Sequence, residues 1–116
     1  MSNDYPIVRL GDVILMRGEA LARAAGDWNL ALNDVNMVRA RANAAAMGTM
    51  DAEEFLAERG REMFQEGSRR TDLIRFDAYN RAWWEKPASD ATRNIFPIPI
   101  NQITASNGTL TQNPGY

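Results

Sequence analysis

Apolar residues recur at intervals of three and four positions through the first part of the chain. This spacing predicts an amphipathic helix over residues 10–25, ended by a turn at Gly26 and Asp27, and a second helix over residues 28–43. The apolar stripe of the first helix is Val13, Met16, Ala20 and Ala24, widened by Ile14, Leu21 and Gly18, and that of the second is Leu32, Val35, Val38 and Ala42. Because only a short turn joins them, we expect an antiparallel hairpin that resembles one tetratricopeptide repeat unit.

A second pair of helices is predicted from residue 51 to residue 76, where large apolar side chains alternate with a dense run of charges. The residues with helical spacing are Phe55, Leu56, Met63 and Phe64 before Gly67, and Leu73, Ile74 and Phe76 after it. Thr49 or Asp51 can cap the first helix of this pair, and Gly67 is expected to end it. The pattern therefore predicts a helix, a glycine stop and another helix.

Helical periodicity fades after Phe76, where proline, glycine and asparagine become frequent. We expect a loop over residues 78–92, an extended segment over residues 94–99 around two prolines, and one helical turn over residues 100–106. The tail over residues 107–116 is expected to lie over the surface. Residues 5–9 are also expected to be extended, because Pro6 disfavours a helical conformation at Tyr5.

The fold class predicted from these patterns is mainly α, in a single domain over residues 1–116. It contains a tetratricopeptide-repeat-like helical hairpin, a second charged helical pair, and an irregular proline-containing C-terminal tail.

The charged residues of the second pair admit two interpretations. Opposite charges lie three positions apart, as in Glu58 with Arg61, and Glu62 with Arg59, so they can meet on one helix surface. In the first interpretation these pairs are exposed and solvated. In the second, the charge cluster lies partly inside the fold, where arginine forks bind carboxylates and fix how two helices dock. The candidate structural charge network comprises Glu58, Arg61, Glu62, Arg69 and Asp72.

Glu19, in the first predicted helix, leaves a similar choice open. It is either a solvated charge on the surface or a buried partner for Arg39 or Arg41 of the same hairpin.

Composition excludes several classes of chemistry. The 116 residues contain no His and no Cys, which removes cysteine nucleophiles, histidine bases and nearly all zinc sites, so we expect no metal and no cofactor. With 13 basic and 15 acidic residues, the net charge of −2 gives no reason to expect nucleic-acid binding. No nucleophile stands at a readable spacing from a base, and nothing selects the opposed carboxylates of a glycosidase. We therefore expect a protein that is not an enzyme.

One group of residues suits a carbohydrate. Trp83 and Trp84 offer aromatic faces for the apolar C–H side of a sugar ring, with Tyr79 beside them and Arg81 able to reach hydroxyl groups. These four residues are the candidate ligand-binding site. The alternative is that one or both tryptophans pack the loop onto the helices.

Several ordered motifs resemble the SusD/RagB family of nutrient-binding lipoproteins of the Gram-negative outer membrane. The charged family pattern runs roughly E-R-R-R-E-L, then E-G, an R pair and D-L-x-R-F. The matching residues are Glu58, Arg59, Arg61, Glu62, Glu66, Gly67, Arg69, Asp72, Leu73, Arg75 and Phe76. Gly60 departs from the pattern where an arginine is usual, and Met63 replaces the usual leucine.

The two ends of the chain carry further motifs of the same family. The hairpin stretch RLGDVILMRGEA, followed by the ALNDVNMVRARA segment, is similar to the family pattern on both sides of the turn. Near the end, KPASD, FPIP and QNPGY occur in the family's order. The resemblance covers essentially the whole chain, and it identifies the chain as the C-terminal portion of a family member.

The resemblance implies a function at the cell surface. A protein of this kind would capture an oligosaccharide or another nutrient and deliver it, without catalysis, to a SusC-like TonB-dependent transporter. The family's signal sequence, lipidated cysteine and N-terminal repeats would lie upstream of residue 1, and membrane contact would be made only through that lipid anchor. We therefore expect an exposed apolar patch on the hairpin of residues 10–43, or its burial by self-association.

An alternative function belongs to a different class of protein. A free-standing intracellular helical-repeat adaptor could bind a peptide in a groove of the alanine-rich hairpin. The FPIP and QNPGY segments argue against it, because such an adaptor does not need them.

Overall fold

The computed structural model describes residues 7–116, so Tyr5 and Pro6, on which the predicted extended segment depends, lie outside the described residues. Contacts divide the chain into two compact units, which meet in sequence between Phe76 and Asp77. Each unit is described by itself below, and the single domain remains a prediction. Within residues 7–116 the regular elements are helical, which confirms the mainly α fold class. No helix in this range is long and apolar enough to cross a membrane.

The first unit contains four α helices in two successive pairs. They are α1 (Leu10–Ala25), α2 (Leu32–Arg41), α3 (Ala52–Glu62) and α4 (Arg69–Arg75), with a 3₁₀ helix (Trp28–Ala31) between α1 and α2. Gly26 ends α1 with a φ of 70°, a left-handed conformation that glycine adopts without a steric penalty. Asp51, rather than Thr49, caps α3, because its side chain accepts a hydrogen bond from the backbone N–H of Glu54 at 2.8 Å.

The continuous helix predicted over residues 28–43 is wrong at both ends. Asp27 accepts a hydrogen bond from the backbone N–H of Asn29 at 3.0 Å, and this short cap begins a 3₁₀ turn instead of an α helix. The helix then ends at Arg41, and Asn43 takes a positive φ of 53°, outside the right-handed helical region.

The apolar stripe predicted on α1 faces the core only in part, because Gly18 is its one buried member and Ile14 packs partly against the core. Val13, Met16, Ala20 and Ala24 are exposed, and α1 instead buries Leu15, Gly18, Glu19 and Ala22. The physical reason is close packing. A Cβ atom at Gly18 would lie 3.2 Å from the Cβ of Asp34 and 3.4 Å from that of Ala31, so the small residues of α1 face the second half of the hairpin.

The apolar core lies between the hairpin and α3. Its buried members are Leu15, Ala22, Ala31, Val35, Val38, Met50 and Phe55. An aromatic cluster extends this core. The centroid of the Trp28 ring lies 5.3 Å from that of Phe55 and 5.5 Å from that of Phe76. Such contacts stabilise a fold by about 0.5–1.5 kcal/mol beyond the area they bury. This cluster joins the first helical pair to the end of the second.

The loop between α2 and α3 has no regular structure, yet two asparagines hold its backbone. Asn36 donates to the carbonyl of Met47 at 3.0 Å and accepts from the N–H of the same residue at 2.8 Å. Asn29 accepts from the N–H of Met50 at 3.1 Å. The predicted loop is therefore ordered by amide side chains from the hairpin, and Met50 is placed in the core.

The second unit is largely irregular, as the sequence predicts. It contains a 3₁₀ helix (Ala91–Asn94), which the sequence did not predict, and a short helix α5 (Ile100–Ala105), which it did. The tail lies along the proline-containing segment. Gln112 accepts from the N–H of Ile98 at 2.8 Å and donates to the carbonyl of the same residue at 2.9 Å. The Tyr116 hydroxyl donates to the carbonyl of Ile95 at 2.8 Å.

Candidate functional site

The charged residues of α3 and α4 form a polar cluster in the first unit. Arg59 donates through Nε to Asp72 Oδ2 and through Nη2 to Asp12 Oδ1, both at 3.0 Å. Asp72 also accepts from Arg75 at 2.8 Å. The side chains of Arg59 and Asp72 are only 4% and 1% exposed, so this pair lies inside the fold. A pair at such depth positions helices α1, α3 and α4 relative to one another.

Glu19 is buried, as one of the two open alternatives required, but its partners are not the predicted ones. It accepts two hydrogen bonds from Arg75 and one from Arg23, each at 2.8 Å, in place of the expected Arg39 or Arg41. Burial alone would raise the pKa of the Glu19 carboxyl, but the hydrogen bonds from Arg75 and Arg23 outweigh it, so the pKa lies below its ordinary value. Glu19 therefore stays ionised.

The other acidic residues of α3 reach back to the hairpin. Glu58 accepts from Arg39 and from Arg61, both at 2.7 Å. Glu62 binds Arg41 at 2.8 Å and also contacts Arg9, so the predicted pair of Glu62 with Arg59 gives way to longer-range partners. Arg59 does not pair with Glu62 because its side chain is buried and donates to Asp72 instead.

The remaining members of the cluster lie at its edge. Arg9 donates to both oxygens of Glu66 at 2.8 Å, and this hydrogen bond lowers the pKa of the Glu66 carboxyl. Arg69 donates to the backbone carbonyl of Leu56 at 2.8 Å. A Cβ atom at position 60 would lie 2.8 Å from Arg69 Nη1, so Gly60 leaves the room in which this guanidinium lies.

The arrangement agrees with the second of the two interpretations drawn from sequence, a cluster partly inside the fold, because the carboxylates are buried while several of the arginines that bind them are part-exposed. Each of the carboxylates Glu19, Glu58, Glu62 and Asp72 has at least two arginine partners. Carboxylates held in this way are poor proton donors and have few lone pairs left for a metal ion. Within residues 7–116, no group of three metal-ligating side chains is close enough to hold a metal ion.

The candidate carbohydrate residues lie in the second unit around a tight turn. Trp83 and Lys86 exchange backbone hydrogen bonds of 3.0 and 2.9 Å in an isolated antiparallel bridge, and Glu85 takes a positive φ of 59° between them. The Trp84 side chain is thereby directed outward at the tip of the turn, where it is 87% exposed.

Lys86, which the sequence reasoning did not select, organises the aromatic side chains of this turn. Its ammonium nitrogen lies 4.5 Å from the centroid of the Trp83 ring and 5.6 Å from that of Tyr79, within cation–π distance of both. It also donates to the carbonyls of Arg81 and Pro87 at 3.2 Å. The structure thus brings Tyr79 and Trp83 together around one cation. The KPASD motif contained the signal that could have identified it.

Arg81 and the polar residues beneath the turn complete the local framework. Arg81 donates through Nε to the carbonyl of Asp77 at 3.1 Å, which holds the start of the turn. Asn80 donates to Asn94 at 2.8 Å and accepts from the Ser89 hydroxyl at 3.0 Å. Of the four predicted residues, Trp84 therefore has the most exposed ring, while Trp83, Tyr79 and Arg81 make contacts that stabilise the turn.

The fold and these two clusters define a class of protein. One unit is helical and stabilised by internal ion pairs, and the other is largely irregular and contains an aromatic turn at its surface. Comparison with known proteins gives the family. The SusD family model matches residues 1–116, and the chain belongs to the SusD family. The starch-binding protein SusD of Bacteroides thetaiotaomicron is 37% identical over 123 aligned residues, which cover 97% of this chain and 22% of that protein.

Solved structures agree with this assignment. Surface glycan-binding protein A from Bacteroides thetaiotaomicron superposes with a TM-score of 0.83 at 28% sequence identity, over 97% of this chain and 25% of that one. The same protein in complex with laminarihexaose superposes with a TM-score of 0.78, over 96% of this chain. The chain thus spans about a quarter of the length of these relatives. The resemblance inferred from the sequence motifs is confirmed.

Proposed function

We propose that this chain is part of a protein that captures glycans at the cell surface without chemical conversion. The single observation that carries the proposal is the outward-facing Trp84 ring, 87% exposed, on a turn whose neighbours are fixed by hydrogen bonds. Support comes from its relatives, one named as a starch-binding protein and another solved with laminarihexaose. Membership of this family favours surface capture over the alternative of an intracellular peptide adaptor.

In this proposal the turn acts by stacking. A sugar ring places its apolar C–H face on the Trp84 indole, since the aromatic face excludes water from both surfaces. Tyr79 and Trp83 enclose Lys86 and so keep the turn in one conformation before the ligand arrives. A pre-formed site of this kind avoids part of the entropy cost of binding.

The first unit would serve as a scaffold for this capture. Its buried carboxylates, Glu19, Asp34, Glu58 and Asp72, are each bound by arginine, which leaves them poorly suited to acid–base catalysis, and the relatives are named for binding. We include in the proposal delivery of the glycan to a SusC-like TonB-dependent transporter, and attachment to the outer membrane through a lipid anchor upstream of residue 1. The transporter, the anchor and the surface location rest on the family resemblance.

The proposal is tested by replacing the exposed ring in the full-length protein. With Trp84→Ala, we expect binding of maltooligosaccharides or laminarihexaose, measured by calorimetry, to weaken about three- to tenfold, the equivalent of one lost stacking contact. Phe64→Ala is the matched control, because Phe64 is also an exposed aromatic, at 74%, but lies in the first unit. Equal affinities for Trp84→Ala and the unmodified protein, with every glycan that binds, would contradict the assignment of this turn.

A further inference from the structure

A cleft between the end of α3 and the start of α4 combines an aromatic ring with positive charge. Its volume is about 630 Å³, which is within the range of sites that hold small ligands. Gly60, Phe64, Gln65, Arg69 and Arg70 are among its lining residues, and none of the described residues that line it is acidic. The cleft lies wholly within the first unit.

Arg69 carries a positive charge that no carboxylate balances. Its Nη1 donates to the carbonyl of Leu56 at 2.8 Å, and it forms no ion pair within residues 7–116. The acidic residues nearest to it in sequence, Glu66 and Asp72, are bound by other arginines. Arg69 is an exposed residue, so its remaining donors can be reached from solvent.

The donors that Arg69 leaves free form the edge of a guanidinium group that matches a carboxylate. Nε and Nη2 lie on the same side of the group and can donate to both oxygens of one carboxylate. Arg75 uses these two atoms to bind the two oxygens of Glu19, and Arg17 uses the same two atoms to bind Asp34. In Arg69 this edge has no partner within the described residues.

Two features hold the Arg69 guanidinium in position. One is the hydrogen bond to Leu56, and the other is the space above Gly60. A Cβ atom at position 60 would lie 2.8 Å from Nη1 and 3.1 Å from Cζ of Arg69, so a side chain there would displace the guanidinium. Gly60 is also the residue that departs from the charged motif, where an arginine is usual. The open edge thus depends on a position that sets this chain apart from the motif.

The aromatic lining narrows the class of ligand. Phe64 is 74% exposed, and its ring offers an apolar face to the C–H side of a sugar. The Gln65 amide can donate to and accept from hydroxyl groups. A ligand that satisfies the ring and the free guanidinium edge has an apolar ring face and a carboxylate, and among sugars this describes a uronic acid.

We propose that this cleft binds a uronic acid residue of an acidic glycan, with the carboxylate on Nε and Nη2 of Arg69 and the sugar ring against Phe64. The inference rests on the proposed function in glycan capture. It adds to that function a substrate class and a second location, in the first unit.

Replacement of the arginine tests the carboxylate contact. With Arg69→Gln in the full-length protein, we expect the affinity for hexagalacturonate, measured by calorimetry, to fall at least about tenfold, because two charge-assisted hydrogen bonds are lost. Arg61→Gln is the matched control, since Arg61 is also an exposed arginine of the first unit but lies outside the cleft lining. It should change the affinity less than about twofold. Binding of neutral laminarihexaose should be unchanged in both variants.

Gly60→Ala tests the position of the guanidinium without removing its charge. The added methyl group displaces the side chain of Arg69, while alanine is a better helix former than glycine within α3, so the variant should remain folded. We expect hexagalacturonate binding to weaken about threefold or more, with no fall in melting temperature. Gly48→Ala is the matched control, because a Cβ atom there would have no neighbour within 4 Å.

Three results would overturn the proposal. Equal hexagalacturonate affinities in Arg69→Gln and Arg61→Gln would do so, as would an unchanged affinity in Gly60→Ala. The third is absence of hexagalacturonate binding to the unmodified protein, and a lower melting temperature of Arg69→Gln would then indicate that a carboxylate from elsewhere in the polypeptide occupies this arginine. A protein that binds laminarihexaose but not hexagalacturonate lacks only this subsite, whereas one that binds no glycan contradicts the proposed function itself.

Discussion

Each of the two units of this chain is stabilised internally by a different kind of polar interaction. In the first unit, charged side chains bind other charged side chains, as Arg59 binds Asp72 and Arg75 binds Glu19. In the second unit, side chains bind backbone groups, as Gln112 binds both backbone groups of Ile98 and Lys86 binds the carbonyls of Arg81 and Pro87. The difference follows from the backbone. Helices satisfy their own N–H and C=O groups, so their side chains are free to set how they dock, whereas an irregular segment needs side chains to satisfy its backbone.

This contrast predicts unequal sensitivity to substitution. A buried ion pair is costly to break, because the partner that remains is left charged and unsolvated. Loss of a side-chain hydrogen bond to a partly exposed backbone group reduces the free energy of unfolding less, because water can replace the side chain as the partner. The experiments below test that ordering from the first unit to the second.

The largest effect is expected from Asp72→Asn. Asp72 accepts from both Arg59 and Arg75, so loss of its charge removes a buried counter-ion from each guanidinium and leaves Asp12 and Glu19 as their remaining carboxylate partners. We expect the free energy of unfolding of the first unit to fall by about 3–5 kcal/mol, measured by hydrogen exchange of α3 and α4 amides. Glu54→Gln is the control, since Glu54 is exposed and lies 3.9 Å from Arg61, where a loss below about 1 kcal/mol is expected. Similar losses in the two variants would show that the network is not a buried one.

Acid should act next, and mainly on the first unit. The folded-state pKa of Glu19 lies below its ordinary value of 4.5, so the stability it contributes is fully present above pH 4.5 and is lost as the pH falls through the lower folded value. Glu66 contributes in the same direction. In the second unit, the hydrogen bond from Thr92 lowers the pKa of Asp90 from an ordinary 3.8, so loss there begins at a lower pH.

Glu19→Gln isolates this acid sensitivity. The variant should be less stable at pH 7, by about 1–3 kcal/mol for the lost charged hydrogen bonds, and its stability should change less between pH 5 and pH 3. Denaturant unfolding at a series of pH values measures both quantities. If the free energy of unfolding of the variant depends on pH as steeply as that of the unmodified chain, another carboxylate causes the acid sensitivity.

The outcome for the helices shows what sequence periodicity can and cannot predict. Helix α1 was predicted over residues 10–25 and is found at Leu10–Ala25, but the central residues of its predicted core stripe are exposed, and only Gly18 and Ile14 at the margin of that stripe lie on the core side. Both sides of α1 are apolar enough to be a core face by periodicity alone. The choice depends on Gly18 approaching Asp34 and Ala31 closely, which is a property of the partner helix rather than of α1.

The charge network illustrates the same limit at long range. The sequence could show that Arg59 and Glu62 are able to pair within one helix, because that geometry is local. It could not show that Arg59 instead reaches Asp12, 47 residues away, since that contact depends on the docking of α1 against α3. For the same reason Lys86 was missed, because its role requires the turn that brings Tyr79 and Trp83 together.

An intermediate effect is expected from Gln112→Ala in the second unit. The substitution removes both hydrogen bonds to Ile98, and we expect a loss of about 1–2 kcal/mol from a site that is only partly buried. Exchange of the Ile98 amide is the direct readout, and it should accelerate strongly. Gln102→Ala is the control, since Gln102 is an exposed residue of α5. If the Ile98 amide keeps its protection, the tail is held by other contacts.

The smallest effects separate the two adjacent tryptophans. Trp83→Ala removes one of the two rings around Lys86, and a partly exposed cation–π contact contributes about 0.5–1 kcal/mol. Trp84→Ala removes a ring that is 87% exposed, so the free energy of unfolding should change by less than about 0.5 kcal/mol. Amide exchange at Trp83 and Lys86, whose backbone groups form the bridge, measures both variants in the same experiment.

This last comparison also bears on function. If the Trp84 ring contributes little to the free energy of unfolding, ligand binding is the role that its exposed position favours. We expect Trp84→Ala to weaken glycan binding while the bridge keeps its protection, and Trp83→Ala to weaken both together. If Trp84→Ala instead destabilises the bridge, Trp84 is a packing residue of the turn. Its exposure would then be no argument for a sugar platform, and the search for the ligand would move from the aromatic turn to the first unit.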